Sequence, residues 1–137
     1  MIYLLDTNTC IGYLTRRSSP IVNRLASLSP PDVALCDIVK AELYYGAYKG
    51  TQLESNLALF REFFSLFVSL PFDSRVAEVH GRIRAHLKAL GTPIGPYDLQ
   101  IAAIALANNL TLVTHNTREF NRVASLRLED WEAVEEN

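Results

Sequence analysis

An uninterrupted apolar run, Ile-Tyr-Leu-Leu at residues 2–5, stops abruptly at Asp6-Thr7-Asn8-Thr9. A run with no polar alternation suits a strand buried on both faces, as in a parallel sheet covered by helices on its two sides. In open α/β sheets, ligand sites gather at the carboxyl ends of the strands. This placement therefore carries Asp6 to the functional rim of the sheet. Capping of the following helix by Asp6 or Asn8 accounts for the same residues equally well. The other acids have to decide between the two accounts.

The rest of the chain repeats the strand-then-helix rhythm. Residues 11–14 begin a helix with Thr9 or Asn8 as its cap. A loop at Arg16-Arg17-Ser18-Ser19-Pro20 leads to a second short helix over 21–28, which ends at Ser29-Pro30-Pro31-Asp32. Residues 33–36 predict a second buried strand, and Asp37 opens a helix running through Glu42 to about Tyr48. A further helix over about 52–68 carries Leu57, Leu59, Phe60, Phe63, Phe64, Leu66, Phe67 and Val68, too wide a set for one core stripe. It is either buried on all sides or partly covered by another protein.

Residues 70–72 form the expected third strand. Asp73 or Ser74 caps a long helix to Leu90, stopped by Gly91, with Val76, Val79, Ile83, Leu87 and Leu90 as its core stripe. After a rigid loop ending at Pro96, the helix over 97–109 is apolar on nearly every face and belongs in the centre. Strands at 110–114 and 126–128 complete the pattern. It predicts one domain over 1–137, a three-layer α/β/α fold with a central, mostly parallel sheet.

Composition excludes several alternatives. A 137-residue chain buries roughly two-thirds of its unfolded surface, and a hydrophobic content of 49% argues against disorder. No apolar run reaches transmembrane length, and no basic segment precedes an apolar core as in a signal peptide. Cys10 and Cys36 make neither a disulfide framework nor a C-x-x-C metal pair, which points to a reduced, cytoplasmic setting. The net charge of −2 opposes a nucleic-acid partner only if every acid is free. With four carboxylates set aside as metal ligands, 11 acidic residues face 13 basic ones.

Four acids stand at positions this organisation makes special. Asp6 and Glu119 follow strands, Asp98 opens the buried helix, and Glu42 lies one to two turns into the helix after the second strand. If those ends converge, the carboxylates repel and raise one another's pKa. A hard divalent cation, Mg²⁺ or Mn²⁺, removes the conflict. Such an ion polarises a phosphoryl oxygen and lowers the pKa of bound water, and a second ion stabilises the leaving oxygen. Phosphodiester hydrolysis is the chemistry that needs this. The spacing alone also admits ordinary surface acids, and Asp98 also complements a helix dipole.

Four segments in order sharpen the reading: L-L-D-T-N at 4–8, A-E-L-Y-Y-G at 41–46, G-T-P-I-G-P-Y-D at 91–98 and V-T-H-N-T-R-E-F at 113–120. With the terminal L-R-L-E-D-W at 126–131, they resemble the PIN-domain ribonucleases, and within them the VapC toxins of bacterial toxin–antitoxin modules. The resemblance implies a PIN fold and an endoribonuclease dependent on one or two Mg²⁺ or Mn²⁺ ions. By position, Asp6, Glu42 and Asp98 match the family's best-marked acids. Glu119 stands where the family often has Asp, so it reaches further and acts through a water or holds a second ion loosely. Thr7, Asn8, Thr114 and Asn116 match supporting polar positions, where capping and turn formation coexist with that role.

Family likeness further implies RNA as substrate, commonly tRNA in the anticodon region and in some members initiator tRNA, read by loop shape and splayed bases. It also implies a VapB-like antitoxin, homodimerisation and no membrane. The helix over 57–68 and the apolar face of 11–14 are the candidate contact surfaces. Arg16, Arg17, Arg75, Arg82 and His86 are candidate RNA-backbone contacts, the last three sharing a helix face that otherwise reads as solvated. His80 reads as structural and His115 as exposed, and no G-x-S-x-G nucleophile motif accompanies them.

Two other classes compete. A phosphatase or phosphoacceptor α/β domain also places Asp after its first strand, but one type needs a second Asp where Asn8 stands, and the other lacks its acidic pair and late Lys. A catalytically degenerate PIN scaffold that binds RNA or protein is the second alternative. Retention of all four acids speaks against it.

Overall fold

The computed structural model describes residues 1–133; the end of the polar tail, 134–137, lies outside the described residues. β1 (Tyr3–Leu5) takes the centre of a five-stranded sheet, between β2 (Val33–Cys36) and β4 (Thr111–Val113). β3 (Val68–Leu70) and β5 (Leu128–Glu129) form the edges, giving the order β3-β2-β1-β4-β5 with every pairing parallel. Leu4 faces Ala34 on one side and Leu112 on the other. The chain builds outward from β1 in one direction, then returns to build in the other. That reversal puts the topological switch point, and its crevice, at the carboxyl end of β1.

Among the described residues, seven helices cover the faces: α1 (Thr7–Leu14), α2 (Ser19–Ala26), α3 (Asp37–Lys49), α4 (Leu53–Phe64), α5 (Ser74–Leu90), α6 (Pro96–Ala107) and the single turn α7 (Thr117–Phe120). A 3₁₀ turn at Pro30–Asp32 feeds β2. α6 is the central helix that its apolar sequence predicts, with Leu99 and residues 101–105 buried. Asp73 caps α5 by accepting the Val76 amide, and Gly91 ends it in the left-handed region (φ 71°) that glycine adopts without strain. None of the described helices is long and apolar enough to cross a membrane.

Some boundaries differ from expectation. α1 begins at Thr7, earlier than residue 11, with Asp6 as its cap, the alternative its place after the strand offered, and not Thr9 or Asn8. Asp37 is the first helical residue of α3; its carboxylate accepts the Ser69 hydroxyl at 2.6 Å instead of capping the helix. The expected helix over 52–68 stops at Phe64, and Val68 pairs with Ala34 as the start of β3, two residues earlier than the expected strand. Helical periodicity continued past the helix end because a half-buried edge strand and a helix both need apolar residues there. β5 likewise sits later, at Leu128–Glu129, where pairing with Leu112 and Val113 sets its position. α7 had no sequence signal of its own.

The wide apolar set divides between core and surface. Leu57, Phe60, Phe63 and Phe64 are buried, whereas Leu59, Leu66 and Val68 are 40%, 52% and 54% exposed. Phe63 sits 5.4 Å from the Tyr13 ring and 5.3 Å from Phe67, so an aromatic cluster ties α4 to α1. Trp131 is buried and stands edge-on to Tyr3 at 5.4 Å, which makes it a packing residue.

Candidate active site

Asp6 leaves the end of β1 already buried, and its carboxylate accepts the Thr9 amide at 2.8 Å. Capping and site placement are therefore one geometry rather than rival accounts. Burial pushes the Asp6 pKa up, opposed by hydrogen bonds from Thr114 and Thr9. Thr114, buried at the end of β4, also accepts the Asn116 amide at 3.0 Å. Two adjacent parallel strands thus hold one carboxylate between them.

Glu42 projects from α3 and accepts the Thr7 hydroxyl at 2.8 Å, tying α3 to the first turn of α1. Asp98 stands in the first turn of α6, where burial raises its pKa to about 6, helped by the charges of Glu119, Asp6 and Glu42. That electrostatic coupling is what convergence of the four acids requires. Glu119, on α7, is held from two sides: one oxygen accepts the Gly95 amide at 3.0 Å, the other the Asn116 side-chain amide at 2.6 Å. Its extra methylene is used to reach the loop before α6. A β-carbon built on Gly95 would lie 3.8 Å from Asp98 Oδ2 and 4.0 Å from Glu119 Oε1, so the loop packs directly beneath both acids.

Among the described residues, no lysine or arginine pairs with any of these four carboxylates. Neutral donors alone satisfy Asp6, Glu42 and Glu119. An all-oxygen set carrying uncompensated negative charge suits a hard divalent cation better than a nitrogen- or sulfur-preferring one.

The structure adds residues that sequence reasoning passed over. Glu132 lies close enough for its charge to act on Asp6, and Arg17 pairs with it at 3.0 Å. His115, exposed as expected, sets Nδ1 3.0 Å from Asp130 and 3.6 Å from Glu132. One ligand atom from each of His115, Asp130 and Glu132 falls within 4.8 Å of the others. With Asp6, Asn8, Ile11 and Asn116, Arg17, His115 and Glu132 line a cleft at the same sheet edge. The available signal was the segment after β5, since a parallel strand beside β4 delivers the residues beyond its end to this edge.

The remaining basic candidates are placed elsewhere. Arg16 lies over the Tyr13 ring at 4.9 Å. Arg75 donates to the Ala107 carbonyl at 2.6 Å and the Asn108 side chain at 2.8 Å, closing the carboxyl end of α6. That end is about 13 Å from Asp98 at the rise of an α-helix. Arg82 and His86 line a cavity against Leu106 and residues 123–125, on the same distant half of α6.

The PIN-domain sequence profile matches residues 3–126. The tRNA(fMet)-specific endonuclease VapC of Salmonella typhimurium is 41% identical over 129 residues, 94% of this chain and 97% of that protein. The chain belongs to the PIN-domain VapC ribonucleases. Among solved structures, DNA-bound VapBC from Salmonella typhimurium superposes with a TM-score of 0.90 at 40% identity, covering 96% of this chain and 98% of that one. VapBC2 from Rickettsia felis, bound to a promoter DNA fragment, gives 0.89 at 37% identity, with 96% and 99% covered. The PIN fold accounts for the all-parallel order.

Proposed function

We propose that this VapC ribonuclease is a Mg²⁺- or Mn²⁺-dependent toxin that hydrolyses tRNA in the anticodon region, initiator tRNA being the first candidate, and thereby stops translation. The observation that carries the reading is the electrostatic coupling of Asp98 to Asp6, Glu42 and Glu119 at the switch point, with none of the four paired to a lysine or arginine among the described residues. Asp6 and Asp98 are the principal ligand candidates, Glu42 a ligand or general base oriented by Thr7, and Glu119 a ligand set by Gly95 and Asn116. A bound divalent ion supplies Lewis acidity at the phosphate and a water of lowered pKa. Asn8 and Thr114 support the site from the rim and from β4.

The Salmonella relative named a tRNA(fMet)-specific endonuclease supports the substrate, and the VapBC complexes among similar structures support a VapB-like antitoxin partner. The exposed Leu59 and Leu66 line a groove with Tyr13, Leu14 and Phe63 that offers the antitoxin or a second copy an apolar surface, and the exposed Ile11 lies at the cleft shared with Asp6. Reduced, buried Cys10 and Cys36 agree with a cytoplasmic setting.

The test is cleavage of a total tRNA pool by wild type, Asp6→Asn and Asp98→Asn with Mg²⁺, Mn²⁺ or EDTA, with cut ends mapped by sequencing. Cuts at one anticodon loop should disappear in EDTA and fall at least about a hundredfold in both variants, because ligand loss removes several kcal/mol of charge stabilisation. Metal binding without tRNA cleavage would redirect the search to another RNA. Absence of metal binding would favour the degenerate scaffold.

A further inference from the structure

The four acids account for the scissile phosphate, and the cleft that Asp6 shares with Asn8 and Asn116 has a further wall. Arg17 and His115 make that wall, together with Glu132. Arg17 pairs with Glu132 at 3.0 Å, His115 Nδ1 with Asp130 at 3.0 Å, and the Glu132 amide donates to the other Asp130 oxygen at 2.9 Å. Exposure divides each pair. The Arg17 and His115 side chains are 55% and 66% exposed, whereas those of Glu132 and Asp130 are 15% and 19%. The cleft therefore presents the nitrogen groups to solvent, with the less exposed carboxylates bracing them.

These contacts do more than tether the chain after β5. Exposed ion pairs add little stability, and Trp131, packed on Tyr3, already anchors this segment, as does the Thr114 amide on the Glu129 carbonyl at 2.9 Å. Arg17 is held in place instead. Glu132 takes one of its donors, and α1 leaves room for its head at Gly12, where a β-carbon would stand 3.0 Å from Nη2. Its other donors make no hydrogen bond among the described residues. The same ion pair opposes a metal ion at His115, Asp130 and Glu132, because a guanidinium already neutralises a carboxylate that such an ion would need. His115 is held by its tautomer. An ionised carboxylate only accepts, so the Asp130 contact places a ring hydrogen on Nδ1 and leaves Nε2 of the neutral ring an acceptor, without a partner among the described residues. A guanidinium beside a lone nitrogen acceptor matches a nucleotide of RNA: its phosphate takes the donors, and its ribose 2′-hydroxyl donates to the acceptor. DNA has no hydroxyl to offer there.

We propose that this wall is a ribose-phosphate seat beside the acids, with Arg17 holding a backbone phosphate and His115 Nε2 accepting a 2′-hydroxyl, so that RNA is distinguished from DNA here. Asp130 and Glu132 are positioning residues that act through His115 and Arg17. The inference rests on the ribonuclease reading above and adds where the sugar is recognised.

The test substrate is the anticodon stem-loop of initiator tRNA, all-ribose or with a single 2′-deoxy nucleotide at each position around the cut. The parent protein should lose about fivefold in kcat/KM at one of those positions, the worth of one hydrogen bond. His115→Ala should lose as much on the all-ribose RNA and then be indifferent to the deoxy substitution at that position. Asp130→Ala should match it, and Asp130→Asn, whose amide oxygen still accepts from Nδ1, should restore the discrimination. In an Asp98→Asn background, Arg17→Gln should weaken equilibrium binding and make the slope of log affinity against log KCl shallower by about 0.7, the value for one single-strand phosphate contact. Losses that simply multiply in His115→Ala, or an unchanged slope in Arg17→Gln, with cleavage still lost in Asp98→Asn, would overturn the seat and leave the nuclease intact. A lower melting temperature in Asp130→Ala with unaltered deoxy discrimination would mark a tether alone and overturn it too. A parent protein that cuts neither this stem-loop nor any other tRNA would remove the ribonuclease reading and the seat with it.

Discussion

Asp98, a proposed metal ligand, illustrates how a side chain placed for function works against stability. Its folded pKa of about 6 lies above the ordinary carboxylate value, so the folded state binds the proton more tightly than the unfolded chain. Below about pH 4 both states are protonated and no cost arises; between about 4 and 6 the cost grows, and above about 6 it is complete. In EDTA, Asp98→Asn should therefore raise the melting temperature at pH 7.5 by a few degrees, and the gain should vanish near pH 4 in a pH series of thermal melts. Because the carboxyl is half-exposed, solvent screening reduces the stability gain to about 1 kcal/mol. Thr7 acts at one remove. Thr7→Val deletes the hydroxyl that orients Glu42 and should weaken Mn²⁺ binding about tenfold by calorimetric titration.

Among the elements, the central strands and α6 carry the fold. Leu112 is fully buried in β4 between two parallel neighbours, so Leu112→Ala should cost about 3 kcal/mol in urea unfolding. Arg75 closes α6 by donating to the Ala107 carbonyl and the Asn108 side chain, and Arg75→Ala should cost about 1 kcal/mol by the same measurement. These two cases divide legible from illegible. β1, β2 and β4 could be located from apolar runs because a strand buried on both faces has no polar alternation to obscure it. The edge strands could not be placed to the residue: Val68 continues the helical pattern of Phe63, Phe64 and Phe67, and only its pairing with Ala34 makes it a strand. Arg75 shares a helix face with Arg82 and His86, yet the packing of α5 on α6 gives it a separate task.

At the scale of the whole molecule, Cys10 and Cys36 lie in one continuous core, and burial pushes the Cys36 thiol up to about 12 and that of Cys10 well above its usual range. Thiolate is then scarce and inaccessible in the native state. Labelling by a disulfide reagent at pH 8 should therefore be slow in buffer and should rise along the urea transition reported by circular dichroism.

The sequence by itself determined the α/β class, the strand that carries Asp6, the caps of the long helix and, through its ordered motifs, the four acids on which the proposed site rests. Each of these is written in contiguous residues, as an apolar run, a cap or a stop. Tertiary structure alone decided that Glu119 is held by Gly95 and Asn116, that Glu132 and His115 reach the same rim, and that Arg75 closes the carboxyl end of α6. Those relations join residues tens of positions apart. They depend on strand order and helix rotation, which periodicity constrains only as a face and never as a neighbour.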